Sequence, residues 1–129
     1  MFISPYYDLW AGEMMETGFG WIEVDGMRYN HDIVIHADRT ITKRKKKLSK
    51  GLKGEYGHTP IDDTELGFLF DEKPALVFIG TGQYGDLPVT PAAEQLLKRY
   101  ITVIKPTPTI LPLIGSELRK FAAVLHVTC

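Results

Sequence analysis

Ala75-Leu76-Val77-Phe78-Ile79, followed at once by Gly80-Thr81-Gly82-Gln83-Tyr84-Gly85, is the stretch that decides the fold. Five consecutive apolar residues bounded by turn formers read as a strand buried on both faces, the mark of a parallel or central strand. The three glycines after it let the chain turn sharply and leave main-chain N–H groups facing outward. Further on, Thr90-Pro91 places a threonine at an N-cap and a proline at the first helical position. Ala93, Leu96, Leu97 and Tyr100 give that helix its apolar face, and residues 101–104 read as another strand. Strand, loop, helix and strand make a βαβ unit.

Working outward, Pro106-Thr107-Pro108 is a rigid lead-in to a short helix around residues 109–118. Pro112 is tolerable only in a first turn, so that helix is expected to begin at or after Thr109. Residues 121–127 read as the last strand. Upstream, residues 61–65 combine an N-cap candidate with first-turn acids, favouring a helix start. Leu66, Leu69 and Phe70 fall on one face of that helix, and Pro74 closes it. The pairs Asp62-Asp63 and Asp71-Glu72 read as surface charge at its two ends.

Residues 19–24 and 27–29 flank Asp25-Gly26, a dipeptide favoured in tight hairpins because both positions tolerate positive φ. Residues 32–36 and 40–42 are further strands around an Asp38-Arg39 turn, and residues 54–60 are loop-like. Residues 1–18 show no period and read as an N-terminal extension. The expectation is therefore one α/β domain over 19–129, with a mixed central sheet, flanking helices and a β-rich N-terminal part.

A chain of 129 residues fits one domain of about 100–150 residues. Its 44% apolar and 24% charged residues exclude disordered and collagen-like classes. No apolar run approaches the roughly 20 residues of a membrane span. The single cysteine, Cys129, rules out a disulfide framework within the chain and makes a reducing compartment the default. The first residues lack the character of a secretory or mitochondrial leader, so a cytoplasmic location is expected.

Net charge is −1, but residues 43–53 (KRKKKLSKGLK) hold seven of the fifteen basic residues and no acid. Such a run could attract phosphates, whether of nucleic acid or of a lipid surface. It has no aromatic residue for base stacking, and it fits an edge strand whose lysines block edge-to-edge pairing.

Two further groups could carry chemistry. The loop residues Gly80, Thr81, Gly82, Gln83 and Gly85 could offer N–H donors to an anion, helped by His58, Thr107 or Lys47. The spacing GTGQYG matches neither common phosphate-binding fingerprint, so a plain tight turn is the competing reading. His126 and Cys129 form H-x-x-C. Strand alternation would set them on opposite faces, two ligands are too few for a structural zinc site, and a catalytic pair would need a third, orienting group. No metal or cofactor is implied.

Several segments together resemble the Mth-type domain family, the domain of unknown function 498/598. They are Tyr29 with residues 32–35, the basic 43–50 stretch, Gly57-His58, residues 79–85 with Leu87, Pro106-Thr107-Pro108, and the terminal 122–129. Relatives include an adipogenesis-associated protein and a mitochondrial complex I assembly factor. The resemblance implies a single α/β domain with a mixed central sheet, no established enzymatic activity, and action by binding other proteins. Tyr84 stands where the family often has His, and residues 110–115 replace its usual Ala-x-x-x-Tyr-Asn pattern.

With no complete catalytic constellation legible, a non-enzymatic protein–protein role is favoured, with an unidentified protein partner or a homo-oligomer. A small-molecule or anion binder at loop 80–85 is the first alternative, an enzymatic one included. Nucleic-acid binding through 43–53 is the second.

Overall fold

The computed structural model describes residues 14–46 and 59–129. Three short strands, β1 (Met15–Gly18), β2 (Trp21–Val24) and β3 (Met27–Tyr29), form an antiparallel sheet in that order. The β2–β3 turn is the expected hairpin, with Asp25 and Gly26 at φ of 49° and 83°. The first strand was not legible, and residues 15–18 join the sheet by pairing with β2.

The second sheet contains β4 (Ile33–Ile35), β5 (Ile41–Lys43), β6 (Leu76–Thr81), β7 (Ile101–Lys105) and β8 (Phe121–His126), in the order β5-β4-β8-β6-β7. Strand β6 lies parallel to both β7 and β8, while β4 is antiparallel to β5 and β8. It is a mixed sheet, and the helices among the described residues are α1 (Phe68–Glu72), α2 (Pro91–Leu97) and α3 (Thr107–Gly115). A 3₁₀ turn spans Asp63–Glu65.

Period-2 alternation assigns the sheet's residues to two cores. Ile33, Ile35, Leu76, Phe78, Phe121, Ala123 and Leu125 face one way and pack with Ile22 and Val24 of the small sheet and Ile110 and Ile114 of α3. Val34, Val77, Ile79, Ala122 and Val124 face the other way and pack with Leu66, Leu69, Ala93 and Leu97. Leu76–Thr81 and Phe121–His126 are buried throughout because each faces a core on both sides. Thr90 caps α2 as its type predicts, its hydroxyl accepting from the Ala93 amide at 3.1 Å.

Two helical readings differ from expectation. Residues 61–72 are not one helix: the 3₁₀ turn ends at Leu66 and α1 starts after Gly67. The break turns Phe70 outward, where it is 45% exposed under the Arg99 guanidinium, while Leu66 and Leu69 stay buried. Helix α3 begins at Thr107 rather than Thr109 and carries Pro112 in its interior. Pro112 has no N–H for the carbonyl of Pro108, but both prolines are exposed, so water can serve that oxygen. Burial of Ile110, Leu111 and Ile114 offsets the loss. Restoring the missing donor with Pro112→Ala should raise stability by up to about 3 kcal/mol, read as a higher urea midpoint at unchanged m-value.

Candidate functional site

Register and alternation place one row of polar residues at the end of the large sheet. Ile33 pairs with both Lys43 and Leu125, so one residue beyond the ladder Asp32 stands between Arg44 and His126. His126 is in turn opposite Thr81 of β6. All four are buried: Asp32 is 1%, Arg44 3%, His126 4% and Thr81 6% exposed.

The Asp32 carboxylate is tightly held. Its Oδ2 accepts from Arg44 Nη1 at 3.0 Å and from His126 Nδ1 at 2.7 Å. Its Oδ1 accepts from the Val127 amide at 2.9 Å. The Lys46 ammonium lies 3.4 Å from Oδ2. Arg44 then reaches Glu65 at 2.7 and 3.0 Å and the carbonyls of Thr59 and Pro60. Burial by itself pushes the Asp32 carboxyl up, but the His126 hydrogen bond and charge, the Val127 amide and Lys46 outweigh it, leaving it well below the usual carboxylate range. For Arg44, burial pulls the guanidinium down and the Glu65 and Asp32 carboxylates more than compensate, raising it.

This row was not legible in the sequence. Arg44 sat inside the 43–53 run, read as solvated, whereas only Lys43, Lys45 and Lys46 among its described members are exposed. The signal available was chemical: one arginine among lysines, and arginine's planar fork is the group suited to buried carboxylate pairing. Glu72 is also more than surface charge, accepting from the Ala37 amide and meeting His36 Nδ1 at 2.6 Å.

Most of the nominated loop residues converge beside the row. The loop amides face the chain's own last residues: Gln83 donates to the Thr128 carbonyl at 2.7 Å, and Tyr84 and Asp86 donate to the Cys129 oxygen at 3.2 and 3.1 Å. Gly85 donates to the Gly82 carbonyl, and the Gly82 amide to Thr107 Oγ1 at 3.0 Å. Thr107, buried completely, donates in turn to the His126 carbonyl at 2.6 Å. The outward-facing donors expected of this loop are therefore taken up by Thr128, Cys129, Thr107 and the loop itself. Gly82 has φ +101°, and a Cβ there would stand 2.3 Å from the Cys129 carbonyl carbon. Only glycine permits that approach. At Gly80 a Cβ would meet Thr107 Oγ1 at 2.7 Å. The Gln83 side chain donates to Thr17 at 3.0 Å. His58 and Lys47 lie outside the described residues.

His126 and Cys129 are not on opposite faces. Strand β8 ends at His126, alternation stops there, and Cys129 Sγ comes to 3.9 Å from His126 Nε2. Thr128 Oγ1 is nearer, at 3.0 Å. Because the ionised Asp32 can only accept, it fixes the proton on Nδ1 and turns Nε2 toward Thr128 and Cys129. Among the described residues no group of three or more His, Cys, Asp or Glu is placed to hold a metal ion, and no helix is long and apolar enough to cross a membrane.

Comparison with known proteins gives a consistent picture. The family model described as protein of unknown function (DUF498/DUF598) matches residues 14–109. A conserved hypothetical protein from Pyrococcus horikoshii is similar in structure, with TM-score 0.78 and 32% identity over 88% of this chain and 97% of that one. A Mth938-like domain from Bordetella pertussis shares the fold at TM-score 0.55 and 19% identity, over 98% and 90% of the two chains. A Xanthomonas campestris protein does so at TM-score 0.59 and 14% identity, over 87% and 82%. No curated protein matches the chain.

The buried row sets two expectations. Arg44→Met strands two buried carboxylates and should cost about 3–5 kcal/mol, against less than about 1 kcal/mol for Lys46→Ala, whose ammonium is largely solvated; urea denaturation separates them. Asp32 has a folded pKa below its unfolded value of about 3.9. Its stabilisation is therefore complete above that value and is lost as pH falls through and below it. In Asp32→Asn the acid limb of stability against pH should flatten, measured by thermal melts from neutral pH downward.

Proposed function

The chain belongs to the DUF498/DUF598 family of proteins of unknown function, and on that premise we propose that it is a non-enzymatic protein-binding module. In this reading it takes an extended segment of a partner along the outer edge of β7, with which no other described strand pairs. The supporting observation is the contrast between the two edges of the large sheet. At one edge, β5 ends in Lys43 and is followed by exposed Lys45 and Lys46, charges of the kind that discourage edge pairing.

At the other edge β7 presents Ile-Thr-Val-Ile-Lys, with Ile101 59% and Ile104 43% exposed. It carries no proline, and its one charge comes at the last position. An unguarded apolar edge is a template for strand addition, in which main-chain hydrogen bonds supply affinity and side-chain contacts supply selectivity. Exposed Lys98, Arg99 and Lys105 stand at its two ends, so charge complementarity favours an acidic partner segment.

A synthetic peptide alternating valine and glutamate should shift the amide resonances of residues 101–105, and its lysine counterpart should not. The double change Ile101→Lys, Ile104→Lys should abolish the shifts while leaving the melting temperature within a few degrees. Shifts mapping elsewhere, or equal binding of both peptides, would refute the reading. If the same substitutions instead dissolve a dimer seen by sedimentation, the edge serves a second copy of the chain.

A further inference from the structure

The row at the sheet end does more than pair charge, because it delivers an oriented imidazole to a sulfur. Asp32 holds His126 Nδ1 at 2.7 Å and is itself fixed by Arg44, the Val127 amide and Lys46. His126 Nε2 points at the last described residues, with Cys129 Sγ at 3.9 Å. The Cys129 main chain is anchored through its oxygen by two loop amides, and the residue is half-buried rather than enclosed. Base, orienting carboxylate and thiol thus form the three-member arrangement that activates a cysteine. We propose that Cys129 is a site of reversible thiolation, with His126 as its base, Asp32 as the residue positioning that base, and low-molecular-weight disulfides as its substrates.

Thr128 also faces Nε2, but a thiol gives up its proton to an imidazole far more readily than an aliphatic hydroxyl does. Acyl transfer fits less well. The amides of residues 82–86 in the neighbouring loop already serve oxygens of this chain, so the loop offers no donors to an oxyanion. Disulfide exchange develops charge on sulfur only and needs no such donors. Nε2 takes the thiol proton, and the thiolate attacks one sulfur of R–S–S–R. The bond from Cys129 Sγ to that sulfur forms and the R–S–S–R bond breaks. The departing RS⁻ takes the proton from Nε2 and leaves as RSH. Cys129 is oxidised to a mixed disulfide, one half of the small disulfide is reduced, and a second thiol reverses the step.

Among the described residues, the charged and titratable groups facing His126 are Asp32 from just before β4 and Cys129 from the segment after β8. Arg44 and Lys46 act through Asp32, and Glu65 stands behind Arg44.

The test is the rate of mixed-disulfide formation with glutathione disulfide, followed by intact mass from pH about 5.5 to 9. Near pH 6.5 the folded protein should react about tenfold faster than the same chain unfolded in urea. His126→Gln should lose that advantage and shift the rate profile to that of an ordinary thiol. Thr128→Val removes the competing hydroxyl from Nε2 and should raise the rate. A folded protein no faster than the unfolded chain overturns the proposal, as does a His126→Gln profile that coincides with wild type. Should His126→Gln fail to fold, Thr128→Val decides, and a rate at or below wild type rejects the assignment.

Discussion

The Asp32 carboxylate is the constraint on which this end of the molecule depends. It is almost fully buried, and an unpaired buried charge would cost several kcal/mol. Its partners come from the segment after β5 and from the end of β8, on either side of β4. They meet only if β5, β4 and β8 lie side by side in this register. A slip of one residue would turn Asp32 to the other face of the sheet and leave it in an apolar core. Arg44 carries the same demand outward, tying Glu65 and the carbonyls of Thr59 and Pro60 to the sheet.

From that row the loop after β6 acquires its purpose. Its glycines do not open a cradle toward solvent: Gly82 lets the backbone lie against Thr128 and Cys129, while Gly80 and Gly85 make room for Thr107 and Pro106. Thr107 links the loop to β8 by accepting from one and donating to the other. With the loop amides on one side and Asp32 on the other, residues 126–129 are held from both directions. The H-x-x-C spacing therefore becomes a contact rather than a separation. At the far side of the sheet no other described strand pairs with the outer edge of β7, and Ile101 and Ile104 are exposed.

Much of this was readable in advance where one physical rule dominated. The apolar run before Gly80 could only be a strand covered on both faces, and the Thr90-Pro91 pair could only start a helix. Asp25-Gly26 could take the positive φ values of a tight turn. Failures came where a local rule met a tertiary one. Pro112 argued for a later helix start, but packing of Ile110 and Ile114 carries α3 through it. Phe70 had helical spacing with Leu66 and Leu69, yet the backbone leaves helical geometry at Leu66, so the 3₁₀ turn and α1 are separate. Cys129 was assigned by alternation to the face opposite His126, but the strand had already ended.

By itself the sequence determined the period-2 strands, the two apolar faces of β6 and β8, the capped α2, the tight hairpin and the family likeness. These follow from neighbours a few residues apart, where backbone sterics and hydrophobic period act. Tertiary structure alone decided that Asp32, Arg44, Glu65 and His126 form one site, because partners 12, 21 and 94 residues apart meet only through sheet order and register. The same holds for Gly82 against Cys129. A lysine-rich stretch does not show which cation turns inward; that depends on the buried carboxylate waiting across the strand.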